Sequence, residues 1–540
     1  MIPVIILCVF AFSTHALPYS LSPYPFNNDG IYESSVAQDI IENGHMTAVD
    51  LDSGKPMHSE PTPVFNTFLA FCSATLGSDP MSSSQLLVAA ISLLTVIGVY
   101  VLLRHSVGNV TASLLGGMAA VLFGTFVYLT SSVWKESLGI ALYMLLLFAY
   151  SQRGNRAMYG VVIVVLAIVP FVHHLVAFVS YLTIAYITAW SMIYAVRKGR
   201  PTYRHYAEAT GIVVAGCVIL LYYHLVSFTR SSYLDPTTGL LPMIAIALAL
   251  SLLMSMTLLR KNHWPGTFAP LVAVFVLAIV IVDYFNPLFT YSPYSPIASY
   301  VPLTISTVVL IALAWYGLEG LAESTSKYRA IPFGALLPAL TLVCFALLSP
   351  SVESRHQLIY RSMDFADPAI FLGMGFGVAH LIHRKKFPNL VIAVTITALL
   401  VSFPFGIYTQ ELLGVRHDTQ ESEIDAIDWI VAADMNHDPY VQSDERVSYI
   451  TRSLFGIGKD NKLPMNLVEN NSLAPDVFYV YEQFWSSVGV SDYPRPFAQP
   501  SASYMRALLS VENVIYIGGS PDDQLIVFHA TAIGQTASGW

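Results

Sequence analysis

Uninterrupted apolar runs limit what this chain can fold into more tightly than any other feature. They recur from the first residues to about position 408, and most are about 18 to 24 residues long, enough helix to cross a lipid hydrocarbon core. A backbone inside lipid must satisfy its own hydrogen bonds, so such runs fold as helices and pack into a bundle. Composition closes the soluble alternative. Of 540 residues 55% are hydrophobic and 11% charged, and mean hydropathy is +0.58, against about twice that charged fraction in an ordinary globular domain. The expected fold class is an all-α polytopic membrane protein.

Charged, proline and glycine breaks divide the runs near 2–18, 65–77, 85–103, 109–130, 135–151, 158–174, 175–196, 207–228, 239–259, 268–285, 299–321, 331–349, 368–383 and 389–408. The second, FNTFLAFCSATLG, is too short to cross and fits a re-entrant or interfacial helix, which leaves thirteen spans. Basic residues are retained on the cytoplasmic side. Arg104, then Arg153 and Arg156, then Arg197, Lys198, Arg200 and Arg204 fall in alternate loops, as do Arg260 with Lys261, Lys327 with Arg329, and Arg384 to Lys386. That pattern puts the N-terminus in the cytoplasm and the C-terminal domain outside, and an odd number of spans agrees. The first run has no basic residues before it, although its Ser-Thr-His-Ala end resembles a weak cleavage site. Either way residues 19–84 form a long outer loop.

Residues 1–408 thus read as a transmembrane module and 409–540 as a small extracytoplasmic α/β domain. Within the latter, 421–433 has helical spacing, and Val447–Ile450, Val477–Tyr481, Val514–Ile517 and Leu525–Phe528 read as strands. From Tyr408 onward there are 18 Asp and Glu against 7 Lys and Arg. This acidic balance speaks against a nucleic-acid partner. The four cysteines, Cys8, Cys72, Cys217 and Cys344, all lie in apolar runs, so no disulfide framework or Cys/His metal spacing is expected.

Chemistry is expected on the outer loops. In the first, Phe26-Asn27-Asn28-Asp29-Gly30-Ile31-Tyr32-Glu33 leads into a segment where Tyr32, Val36 and Ile40 recur at helical spacing, an amphipathic helix on the membrane surface. Asp29 stands at its entrance. It is either a helix cap, its carboxylate occupied by backbone amides, or a free carboxylate available as a general base. The helix ends in Asn43-Gly44-His45 and is followed by Pro61-Thr62-Pro63 and the short apolar run.

This order of Asp-Gly, surface helix, Asn-Gly-His, Pro-x-Pro and a short apolar helix before many spans resembles the C-type membrane glycosyltransferases. That superfamily includes oligosaccharyltransferase catalytic subunits, protein O-mannosyltransferases and aminoarabinose transferases. The resemblance covers about residues 1 to 200 by pattern. It implies transfer of a sugar from a polyprenyl-phosphate donor to a protein or lipid acceptor on the outer face, in a cell-envelope membrane. It also implies an acidic catalytic residue at the start of the first outer loop, here Asp29, with Glu33 close by as a substrate contact. Many members have a second acid in the next outer loop, where Trp134-Lys135-Glu136 stands. Glu136 would then share a divalent cation, Mg or Mn, with Asp29 while Lys135 faces the donor phosphate; otherwise Glu136 simply starts a helix favourably.

Arg355 and Arg361, in the outer loop 349–361, run against the positive-inside bias. They are either ligands of a lipid phosphate or surface arginines facing headgroups. Glu353 in the same loop weakly resembles an acidic member of an oligosaccharyltransferase motif. His173 and His174, near the outer end of a span, point about 100° apart on a helix, so one of them would face the site. Span centres carry almost no ionisable residues, which argues against an ion-coupled transporter. The chain departs from the oligosaccharyltransferase pattern in lacking WWDxG; Phe484-Trp485-Ser486-Ser487 is no substitute, so peptide-sequon recognition is not implied. A lipid-linked glycan polymerase or ligase, and a non-catalytic transporter or scaffold, are the rival readings.

Overall fold

The computed structural model describes residues 2–46, 62–197, 199, 202–225, 241–259, 297–323, 328, 330–348, 352–385, 387–408, 418–433, 440–457, 477–482, 485, 513–520 and 523–530. Helices dominate. In chain order they are α1 Ile2–His15, α2 Pro18–Leu21, α3 Asn28–Asn43, α4 Val64–Leu76, α5 Pro80–Val107, α6 Val110–Leu122, α7 Gly124–Ser131, α8 Lys135–Ser151 and α9 Arg156–Ile168. There follow α10 His174–Arg197, α11 Tyr203–Leu225, α12 Leu241–Leu259, α13 Ile297–Glu323, α14 Ala330–Leu348, α15 Val352–His383, α16 Pro388–Ser402 and α17 Pro404–Ile407. The C-terminal region adds α18 Glu421–Ala433, β1 Val441–Gln442, α19 Glu445–Phe455, β2 Val477–Glu482, β3 Asn513–Ser520 and β4 Asp523–Ala530.

Among the described residues eight helices are long and apolar enough to cross a membrane, or nine if one bent pair counts as a span. The chain is an integral membrane protein; among the described residues such helices are fewer than the thirteen expected from apolar runs. The run at 135–151 is a helix of 17 residues and that at 158–174 starts with one of 13, both short for a bilayer of about 30 Å. The run at 268–285 lies outside the described residues. The run at 109–130 bends by 65° between α6 and α7. Gly124 sits at that bend because its backbone touches another helix end: its N–H donates to Ser402 Oγ at 2.9 Å, and a Cβ there would lie 2.3 Å from the Ser402 carbonyl. The short apolar run 65–77 is α4, which packs on α3 and α5.

The core runs through α5, α6, α8, α10, α14 and α15, with α1 lying against α5 and α6. His15, wholly buried at the end of α1, is held by the Ala11 carbonyl and Thr130 Oγ1, each at 2.8 Å. Thr14 and His15 of the Ser-Thr-His-Ala segment are therefore buried in the bundle. Helices α13 and α15 meet backbone to backbone: a Cβ on Gly317 would lie 1.9 Å from the Gly373 carbonyl and 2.3 Å from Gly377 N. No side chain can yield there. Gly317→Val is expected to cost several kcal/mol, about the upper range for overpacking, read as lost expression in membranes or a collapsed thermal midpoint in detergent.

In the C-terminal region the sheet order is β1-β2-β4-β3, with β1 parallel to β2 and the other pairs antiparallel. The expected helix at 421–433 and the strands at 477–481, 514–517 and 525–528 are present. Val447–Ile450, expected as a strand, is instead part of α19. Asp444 caps that helix by accepting the Val447 N–H at 3.1 Å, and Gly456 ends it at φ 64. Val447, Ile450 and Leu454 then share one face, the period of a helix.

Candidate functional site

The first loop and the 132–134 turn are locked together at one end of the bundle. Gln85, wholly buried near the start of α5, accepts the Phe26 N–H at 3.0 Å and donates to the Ser131 carbonyl at 2.6 Å. The Phe26 carbonyl accepts the Val133 N–H at 3.2 Å, and the Phe26 ring meets Tyr128 edge-on at 5.8 Å. Gly30 completes the contact. A Cβ on it would lie 2.7 Å from Pro25 Cβ and 3.0 Å from Val133 Cβ, so the glycine after Asp29 lets the first turn of α3 press onto the turn that carries Lys135 and Glu136.

Asp29 is not the helix cap. Asn27 holds that position, without a side-chain capping bond, and Asp29 is the second residue of α3. Its carboxylate is half-buried and within electrostatic reach of Glu33, Glu136 and Tyr128. Among the described residues no hydrogen bond or ion pair holds it.

The other site residues fall into two clusters, because Lys135 and Glu136 are adjacent and must point different ways on α8. Lys135 is buried and turns to α3 and the segment before α4: its Nζ lies 3.4 Å from Glu33 Oε1 and donates to Thr62 Oγ1 at 3.1 Å. Glu33 Oε2 accepts from Asn66 Nδ2 at 2.5 Å. Burial pushes the Glu33 carboxyl above its ordinary range, and Lys135 and Asn66 offset part of that rise. Lys135, expected at the donor phosphate, is thus committed to Glu33.

Glu136 turns the other way and is buried. Its Oε1 accepts from Arg361 Nη1 at 2.7 Å and lies 3.5 Å from His173 Nε2. His173 Nδ1 accepts the Val176 N–H at 3.4 Å at the start of α10, which leaves the ring proton on Nε2, facing Glu136. His174 stacks on His173 with centroids 4.5 Å apart. So one histidine of the doublet faces the site and the other backs it.

Arg361 does not lie in a loop, because residues 352–383 form one helix. Asp364 and Asp367, both buried, follow it at three-residue spacing on the same face. Asp364 is within electrostatic reach of Glu136, Arg361 and Asp367, and Thr125 Oγ1 donates to Asp367 Oδ2 at 3.4 Å. The two carboxylates lie within two turns of the start of the apolar segment 361–383, away from its centre. Asp364 and Asp367 fall in the polar stretch just before the apolar run at 368–383, and the helix passes through Pro368 to include them. The signal was present as an Arg-Asp-Asp series at i, i+3 and i+6. The side chains of Glu353 and Arg355 lie outside the described residues.

A metal does not fit these side chains well. Glu136 Oε1 is taken by Arg361 and His173, and among the described residues no three His, Cys, Asp or Glu are placed to hold an ion. A divalent cation shared by Asp29 and Glu136 would have to displace these two partners of Glu136.

The C-terminal region closes over the same end. Helix α19 packs on α3, Ser22 Oγ donates to the Thr419 carbonyl, and Tyr24 lies near Glu421 and Asp425. Burial and those two carboxylates push the Tyr24 phenol up.

No family model and no curated protein matches the chain. Solved structures do match its fold. The oligosaccharyltransferase of Archaeoglobus fulgidus, in complex with Zn and sulfate, superposes with a TM-score of 0.55 at 13% identity, over 98% of this chain and 73% of that one. The same organism's enzyme with an inhibitory peptide and a dolichol-phosphate gives 0.52 at 12% identity, over 88% of this chain and 68% of that one. The chain shares the fold of these oligosaccharyltransferase structures.

Proposed function

We propose that this chain transfers a sugar from a polyprenyl-phosphate-linked donor to a protein or lipid acceptor at the end of the bundle where α3, α8, α15 and the C-terminal region meet. That end would face outward from the plasma membrane, with the N-terminus in the cytoplasm. The observation that carries the reading is a half-buried carboxylate, Asp29, without a hydrogen-bond partner among the described residues and within electrostatic reach of buried Glu136, itself paired with the partly exposed Arg361. A catalytic base needs such freedom, and an anionic leaving group needs such a cation.

In the transfer, an acceptor heteroatom bonds to the anomeric carbon and gives its proton to Asp29. The bond from that carbon to the phosphate oxygen breaks, and its electron pair leaves with the lipid phosphate. Arg361, at 24% side-chain exposure and paired with Glu136, is the cation best placed to take that phosphate, since a guanidinium matches phosphate geometry in a fixed fork. From the sequence alone, Arg355 is proposed as a second phosphate ligand. Glu136 and His173 orient Arg361, while Glu33 and Lys135 hold the first loop in register. The Archaeoglobus structures with dolichol-phosphate and with an acceptor peptide support a lipid-linked donor and a protein acceptor. A divalent cation, as in the Zn-bound neighbour, would have to draw Glu136 from its present partners.

The test is transfer of labelled sugar from endogenous polyprenyl-phosphate donors in membranes with and without the protein. Product that depends on the chain supports the reading. Flux of a lipid-linked sugar in vesicles without a glycosylated product would favour a transporter instead. Arg361→Ala is expected to lower kcat/KM by about a hundredfold, chiefly through donor KM, as for loss of a charge-assisted contact. Because it also strands Glu136, the double variant Arg361→Ala/Glu136→Gln should be measured beside it. If the double variant regained wild-type donor KM, Arg361 would be only the counter-ion of Glu136.

A further inference from the structure

Asn27 carries two local costs at once. Its backbone lies at φ 91 and ψ 142, a region that residues with a Cβ avoid and that glycine occupies readily. Its side chain is 7% exposed, and Nδ2 has no hydrogen-bond partner among the described residues. A side-chain cap on α3 would offset the strain, and there is none.

The surroundings explain how the conformation is enforced. Phe26 is fixed at its N–H by Gln85 and at its carbonyl by Val133. On the other side the Asn27 carbonyl accepts the Gly30 N–H at 3.0 Å. The chain must therefore turn sharply at residue 27, where a glycine would do so without strain. Retaining an asparagine there calls for a use of the carboxamide itself.

Two residues on, Asp29 offers an acceptor that is equally without a partner among the described residues. A donor and an acceptor two residues apart at the start of one helix are together the pair that complements a hydroxyl group, which both accepts and gives a hydrogen. A phosphate has no proton to offer the carboxylates crowded here, and Arg361 already supplies the cation that suits one.

We infer that Asn27 is a substrate-binding residue whose Nδ2 donates to a hydroxyl oxygen of the sugar being transferred. The inference rests on the transferase reading above and adds to it a contact that selects for the sugar.

Asn27→Gly removes the carboxamide and relieves the backbone. Its thermal midpoint is expected to rise by about 2 °C, while KM for the endogenous lipid-linked saccharide rises by about tenfold or more, as when a substrate hydroxyl loses its partner. Stabilisation by sugar-free undecaprenyl phosphate, read as a shift in thermal midpoint, should match wild type. Asn27→Ala, which keeps the strained backbone, should show the same KM with no rise in midpoint, separating the contact from stability. Unchanged KM in both variants, with wild type active, would overturn the inference. So would a lower midpoint for Asn27→Gly, which would make the carboxamide a structural brace, or loss of stabilisation by the sugar-free lipid, which would make it a phosphate ligand. Absence of transfer by wild type itself would remove the transferase reading, and this contact with it.

Discussion

Asp29→Asn is expected to lose sugar transfer by about a thousandfold, within the range for removal of a general base, while the protein still folds and inserts. The amide has nearly the shape of the carboxylate but cannot accept a proton. Folding should survive because Asp29 is not the cap of α3 and holds no bond among the described residues. Its favourable place near the helix N-terminus is worth about 0.3–1 kcal/mol, and its removal also relieves repulsion with Glu33 and Glu136, which lie within its reach. The thermal midpoint should stay within about 2 °C of wild type. Labelled-sugar transfer at matched protein levels reads the first quantity and unfolding in detergent the second. A fully active, normally stable variant would reduce Asp29 to an acidic residue in a helix's first turn and leave the chemistry to Glu136, Asp364 or Asp367. An unstable variant would instead place Asp29 among the residues that hold the first loop.

What could be read from the sequence was local. Asp29-Gly30 before an amphipathic helix needs only a few neighbouring residues to recognise, and the helix α3 runs where the spacing of Tyr32, Val36 and Ile40 put it. Partnerships across the chain were not readable. Nothing in Trp134-Lys135-Glu136 says that Lys135 meets Glu33 while Glu136 meets Arg361, 225 residues away in sequence. Helix ends failed where a rule of thumb met a tertiary exception. Pro368 does not end α15, and Gly124 breaks a span that its apolar content alone would continue, because the Ser402 carbonyl and Gly406 press on it. The fold class survived these errors because apolar run length is a property of the bilayer, whereas span number depends on which runs bend or stop short. Short windows misled most, as at Val447–Ile450, where four residues fit either period and the Asp444 cap decides.

Arg446→Ala is expected to release the C-terminal region from the first loop. Arg446 is 3% exposed and sits among three carboxylates: it pairs with Glu423, lies 3.3 Å from Asp444 Oδ2, and reaches both oxygens of Glu482 at 2.8 and 2.9 Å. Its Nη1 also donates to the Asp418 carbonyl at 3.1 Å, next to Thr419, whose carbonyl takes the Ser22 hydroxyl. Removing this cation from among these carboxylates strands buried charges, at a cost of about 3–5 kcal/mol. A Ser22→Cys/Thr419→Cys pair should cross-link efficiently in an otherwise wild-type chain and poorly with Arg446→Ala, and transfer should fall because α19 no longer braces α3. The deficit should depend on pH with a definite sign. Burial already raises the Asp444 carboxyl even with Arg446 present, and loss of that guanidinium, which now lowers it, would raise it further. Such groups are most favourable in the fold while protonated, below the ordinary carboxyl range of about 4. Their stability is lost as pH rises through the elevated folded values. The variant's thermal midpoint should therefore approach that of wild type on going from pH 7 to pH 5. A gap that held constant or widened over that range would mean that Arg446 acts through packing of its stem and not through its charge.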